Sequence, residues 1–184
     1  MGAVRLKTLA DLRHRRLQAF GIATVLLLST AAATLALHIL GSGHSASTYG
    51  LLASVNAALI VVFEVSATAI TQRFPERSAM AVGYVITGVG FALTAVATST
   101  PAIGLTIALW TLGEMVSSPL SGVYMAKLAP AHLRGRYMGL LTASWSLAAV
   151  IGPALGTLVF ASSELALWLG CGVLGAMAAV LVLL

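Results

Sequence analysis

The sequence predicts an all-α membrane protein with six transmembrane helices, and three observations carry that reading. Of its 184 residues, 59% are hydrophobic and 8% are charged, with a mean hydropathy of +1.01. A soluble domain has about 25% charged residues, so an ordinary water-facing surface is excluded. The apolar residues gather into six runs, each near the ~20 residues that a membrane helix needs. Finally, Lys and Arg occur only at alternate connections between those runs.

The runs cover 17–40, 48–71, 78–98, 101–128, 137–161 and 164–184. Lipid admits only helices or closed barrels. Barrel strands alternate polar and apolar residues over about ten positions, and "TVLLLSTAAATLALHIL" and "LWLGCGVLGAMAAVLVLL" do not. The connections are short: "GSGHSAS", "QRFPER", "TSTP", "APAHLRGR" and "SSE". Arg5, Lys7, Arg13, Arg15 and Arg16 precede the first run. Arg73 and Arg77 sit between the second and third, and Lys127, Arg134 and Arg136 between the fourth and fifth. Six spans therefore put every cation on one side, which the positive-inside rule makes the cytoplasm. Both termini are expected there, in a cell (inner) membrane. The opening basic segment leads into a run of full spanning length, so no cleaved signal peptide is expected. The net charge of +5 is accounted for by topology signals, and nucleic acid is not expected as a partner. Arg134 and Arg136 serve either as topology and headgroup contacts or as part of a cytoplasmic gate.

Five acidic residues can be weighed singly. Asp11, Glu76 and Glu164 fall in connecting segments and are expected to be solvated, as are His38 and His44 near the end of the first run. Glu64 and Glu114 fall inside the second and fourth runs, where a charge costs several kcal/mol and marks a bundle interior or wet cavity. They are candidates for proton or substrate handling, or neutral hydrogen-bonded links between helices. Asn56 lies eight residues before Glu64, on a similar helix face, and interhelical hydrogen bonding explains it equally well. Tyr84, Tyr124, Trp110, Trp145 and Trp168 either line a cavity or pack and anchor. Glycines in "GYVITGVGF" and "WLGCGVLGAM" let helix backbones approach closely. Gly152-Pro153, inside the fifth run, removes a backbone hydrogen bond and predicts a bend. No His, Cys, Asp or Glu set has metal-ligand spacing, and no phosphate-cradling Gly-Lys loop is present. No catalytic residue, metal or cofactor is expected, and no enzyme.

The tract "GEMVSSPLSGVYMAKLAPAHLRGRYMGLLTASWSLAAVIGPALG" resembles the tenth and eleventh helices of major facilitator superfamily (MFS) transporters, especially proton-coupled multidrug exporters. "YGLLASVNAALIVVFEVSATAITQRFPER" resembles helix eight and the loop after it. Gly139, Ala148, Gly152, Pro153, Gly156 and Thr157 keep the spacing of the family's antiporter signature, with Ala148 and Thr157 replacing glycines. Ile70, Arg73 and Arg77 echo its cytoplasmic gating loop, with Gln72 in place of an Asp and Pro75 in place of a Gly.

This resemblance implies one half of an MFS-type bundle, with residues 1–16 as a central-loop remnant and 17–184 as a six-helix half-domain. It implies multidrug efflux by proton antiport, with a small-molecule substrate and protons as partners. It also implies a second six-helix half, supplied by a missing amino-terminal half or by a homodimer. The alternative is a non-transporting six-helix membrane protein or a truncated transporter remnant.

Overall fold

The computed structural model describes residues 33–184. Residues 33–41 are helical and form the end of α1; the remainder of the first expected span, and the basic segment before it, lie outside the described residues. Five helices follow: α2 (Ala46–Thr71), α3 (Glu76–Thr94), α4 (Thr100–Leu128), α5 (Arg134–Ser162) and α6 (Glu164–Leu183). All five are long and apolar enough to cross a membrane. A 3-10 turn, Ala131–Leu133, leads into α5.

The starts of these helices are written locally. Ser45, Ser99 and Ser163 each accept a hydrogen bond from a backbone N–H of the first turn of α2, α4 and α6, satisfying a donor that the helix itself cannot. Pro101 sits in the first turn of α4, where its missing N–H costs nothing. Pro75 introduces α3, and Glu76 in its first turn complements the positive end of the helix dipole. Gly43 takes a φ of +82° in the reversal between α1 and α2, a conformation that glycine adopts without steric penalty.

Contacts at the helix ends fix the up-and-down arrangement. At one end, Arg77 Nε donates to the Val182 carbonyl at 2.7 Å, and Lys127 pairs with Glu76. The start of α3 and the ends of α4 and α6 therefore meet there. At the other end, His38 contacts Glu164 and the Ala97 carbonyl, and His44 Nε2 lies 2.8 Å from the Thr98 oxygen. The cation-bearing connections α2–α3 and α4–α5 consequently share one end, as the charge pattern predicts.

α3 forms the centre. It packs most extensively on α4 and α6, and ten of its 19 residues are buried, against two of 26 in α2. Close approach rests on glycine. A Cβ at Gly113 of α4 would lie 2.5 Å from the Gly83 carbonyl oxygen and strike the Thr87 side chain. A Cβ at Gly175 of α6 would lie 2.7 Å from Gly88 Cα. Lipid tails are as apolar as leucine, so helix association here draws on close van der Waals packing rather than on exclusion of water. The hydroxyls in these seams are satisfied within their own helices: Thr87 donates to the Gly83 carbonyl, Thr94 to Gly90 and Ser117 to Gly113.

One apolar cluster gathers Phe91, Ile103, Ile107, Trp168 and Cys171 toward the His38 end. Another gathers Met80, Tyr84, Leu120 and Ala178 toward the basic end. Substitution separates the seam from the lipid-facing surface. Gly113→Ala is expected to destabilise the bundle by about 1–3 kcal/mol through overpacking. Gly170→Ala, with no atom within 4 Å of the added carbon, should stay within about 0.5 kcal/mol of the parent. Unfolding titrations in mixed micelles measure both.

Candidate functional site

The polar residues that stand out in the sequence converge on the contact between α2 and α4. Asn56 Nδ2 donates to Thr111 Oγ1 at 2.8 Å, and the same hydroxyl donates to the Ile107 carbonyl at 2.6 Å. Thr111 is fully buried, so this pair is sealed inside the helix contact. Farther along the same two helices stand two acids, Glu64 on α2 and Glu114 on α4. Both are partly buried. An acid within an apolar span is costly and usually faces a bundle interior or a wet cavity. Thr111 is the member that sequence reasoning missed: its partner on α2 lies 55 residues away, and one hydroxyl in a helix carries no signal of its own.

α5 presents a different feature. Ala148, Gly152 and Gly156 are buried at four-residue intervals along one face, the spacing that stacks small residues in a row. Pro153 stands beside them within a helix that continues to Ser162, and Thr157 Oγ1 donates to the Pro153 carbonyl at 2.9 Å. Gly139 does not join this row; it is exposed, with nothing within 4 Å of where a Cβ would stand. Nine residues before Ala148, it falls on the opposite side of the helix. A second interior proline, Pro119 in α4, was not singled out from the sequence and lies just over one turn beyond Glu114. It too leaves a helix carbonyl without its usual donor.

At the basic end Arg73, Arg77, Arg134 and Arg136 are all exposed. An open groove of ≈ 620 Å³ there is lined by Phe74, Glu76, Arg77, Tyr124 and Leu183 among others. It contains neither Glu64 nor Glu114. Among the described residues, no group of three or more His, Cys, Asp or Glu side chains could hold a metal ion.

The opposite end departs from expectation. His38, expected to be solvated, is buried at 2% exposure, and Glu164 turns its carboxylate onto it. Trp168, one turn into α6, packs edge-on against the imidazole with ring centroids 5.6 Å apart. Placing His38 near a span end was correct. What the sequence hides is that α6 begins with an acid directly beneath that end.

The described helices form one bundle of membrane-spanning length. The Major Facilitator Superfamily model matches residues 18–184, and the chain belongs to that family. It is 26% identical over 114 residues to the uncharacterized MFS-type transporter YqjV of Bacillus subtilis (strain 168), covering 62% of this chain and 28% of that protein. To the multidrug resistance protein MdtH of Photorhabdus laumondii subsp. laumondii it is 33% identical over 106 residues, covering 57% of this chain and 26% of that one. The fold resembles the crystal structure of a POT family transporter in complex with a thioalcohol-conjugated peptide, with a TM-score of 0.73 and 19% identity. That match covers 94% of this chain and 41% of the transporter. The chain thus spans under a third of these curated relatives and under half of the solved transporter.

The Asn56–Thr111 bond has a measurable consequence. A double-mutant cycle with Asn56→Leu and Thr111→Val should give a coupling of about 0.6 kcal/mol, and at most about 1.7, the range for hydrogen bonds between membrane helices. Unfolding free energies in lipid micelles provide the readout.

Proposed function

We propose that the chain works as the carboxyl-terminal half of a proton-coupled exporter of small amphipathic solutes. The observation that carries this reading is that α2 and α4, which pack on one another, each bring a partly buried carboxyl, Glu64 and Glu114, into the span of an MFS bundle. In this reading the pair binds a proton, or a cationic solute in its place, and Asn56 holds the two helices in register through Thr111. Likeness to MdtH proteins, which are named for multidrug resistance, favours efflux of varied solutes.

A second half follows from the surfaces left uncovered. α2 buries only Leu52 and Thr71, and α5 buries four of its 29 residues. The Ala148–Gly152–Gly156 row, already buried within this half, would let α5 pack closely on its own neighbours during rocker-switch motion, with Pro153 bending the helix. The partner would be an amino-terminal six-helix half, or a second copy of this chain. Residues 1–16 would be the end of the loop that joins the halves, and residues 17–184 the half-domain itself. Arg73, Arg77, Arg134 and Arg136 would mark the cytoplasmic face of a cell (inner) membrane and contribute to its gate, with both termini on that side. No catalytic or cofactor chemistry is invoked. A single copy of the chain would supply one side of the solute pathway.

Transport by the complete protein in sealed vesicles tests the carboxyl assignment. Glu64→Gln or Glu114→Gln should reduce efflux driven by a pH gradient at least tenfold while leaving the protein in the membrane. Unchanged pH-dependent efflux in both variants would remove the pair from the mechanism.

A further inference from the structure

The end of the bundle opposite the basic connections holds a buried imidazole whose neighbours dictate its proton count. His38 Nε2 lies 2.8 Å from the carbonyl oxygen of Ala97 in the α3–α4 connection, and Nδ1 lies against Glu164 Oε1 at the start of α6. A carbonyl oxygen only accepts, so Nε2 carries the hydrogen in that bond. A neutral imidazole would then present a bare lone pair at Nδ1, facing a carboxylate oxygen that is also only an acceptor. Two lone pairs in contact repel. The arrangement holds only with one further proton on the Nδ1–Oε1 axis. That proton sits either on the nitrogen, giving imidazolium and carboxylate, or on the oxygen, giving a neutral acid against a neutral ring.

Either placement gives the pair zero net charge and one proton more than a neutral histidine beside an ionised glutamate. We infer that His38 and Glu164 form a proton-binding site distinct from the Glu64–Glu114 pair, and that the bound proton closes a clasp between α1, the α3–α4 connection and α6.

The surroundings suit that role. The His38 side chain is 3% exposed and that of Glu164 is 43% exposed, so the proton exchanges with water through the carboxylate. Trp168 covers the ring edge-on, and its Nε1–H lies 3.5 Å from the same Oε1. His44, beyond the end of α1, is held at the Thr98 carbonyl and near the Thr100 hydroxyl. The adjoining apolar cluster contributes the Tyr49 phenol from α2 and the Cys171 thiol from α6, and no acid or base from α3, α4 or α5 among the described residues. The direction of the response follows. In acid the proton is bound and the three segments are tied. In alkali the proton is withdrawn, the bare Nδ1 lone pair faces the carboxylate oxygen, and the clasp loses the bond to α6.

Glutamine at position 164 separates this reading from simple packing. Its amide N–H can donate to Nδ1 of a neutral ring while Nε2–H still donates to Ala97, so Glu164→Gln keeps the clasp without a titratable proton. Thermal unfolding of the chain in lipid nanodiscs, from about pH 5 to about pH 9, provides the readout. The parent midpoint should fall, relative to Glu164→Gln, by on the order of 5 °C across that range. Nitrogen NMR of histidine-labelled chain gives a second measurement that needs no variant to fold: at the acid limit, both His38 ring nitrogens of the parent should carry or share a proton. A parallel pH slope in the parent and Glu164→Gln, or a free unshared Nδ1 in the parent at the acid limit, would overturn the proposal.

Discussion

Close contact between helix backbones is the interaction on which this structure depends. In lipid, burying one apolar side chain against another gains little over burying it against an acyl chain. What holds α3 to α4 and to α6 is the approach allowed by Gly83, Gly88, Gly113 and Gly175. The Thr87 and Ser117 hydroxyls within that contact donate to carbonyls of their own helix, whereas the Trp110 indole N–H, on the α4 side of the seam, is buried without a partner among the described residues. With α3 fixed on both sides, α4 is placed against α2, and α6 is placed beneath the end of α1 and beside α5. The carboxyl pair and the histidine clasp both follow from those placements.

The helices divide by role. α3 and α6 supply much of the packed interior, whereas α2 and α5 keep most of their surface uncovered. The residues suited to function lie toward that margin: Asn56 and Glu64 on α2, Glu114 across from them on α4, and the small-residue row with Pro153 on α5. Polar chemistry within a membrane is expensive, and here it sits on helices that the packed centre positions without enclosing. The two ends also differ in kind. One carries exposed arginines and the Lys127–Glu76 pair; the other carries two histidines that hold successive carbonyls of the α3–α4 connection.

Much of this was legible in the residues. Length and charge-free continuity located the five fully described spans to within a few positions, because a membrane thickness imposes its own ruler. The cations marked which connections share an end. Glu64 and Glu114 stood out because ionisable residues within apolar runs are rare. Which way they face could not be read, since it depends on how α2 rotates against α4, and neither helix shows a strong apolar face to fix that rotation. Thr111 was hidden for the same reason. His38 was misread as solvated because its burial comes from α6, 126 residues later in the chain. Gly139 matched a spacing but falls on the far side of α5 from its companions, a distinction that a linear motif does not record.

The account stands on a single spanning bundle whose basic connections share one face. Cysteines placed singly at Gln72, Pro130, Ser47 and Thr98, all exposed, in a chain whose buried Cys171 is replaced by Ala, test this with a membrane-impermeant maleimide on sealed vesicles. Labelling at Gln72 and Pro130 from one side, and at Ser47 and Thr98 from the other, is the predicted result. Gln72 and Pro130 labelled from opposite sides would contradict the bundle itself.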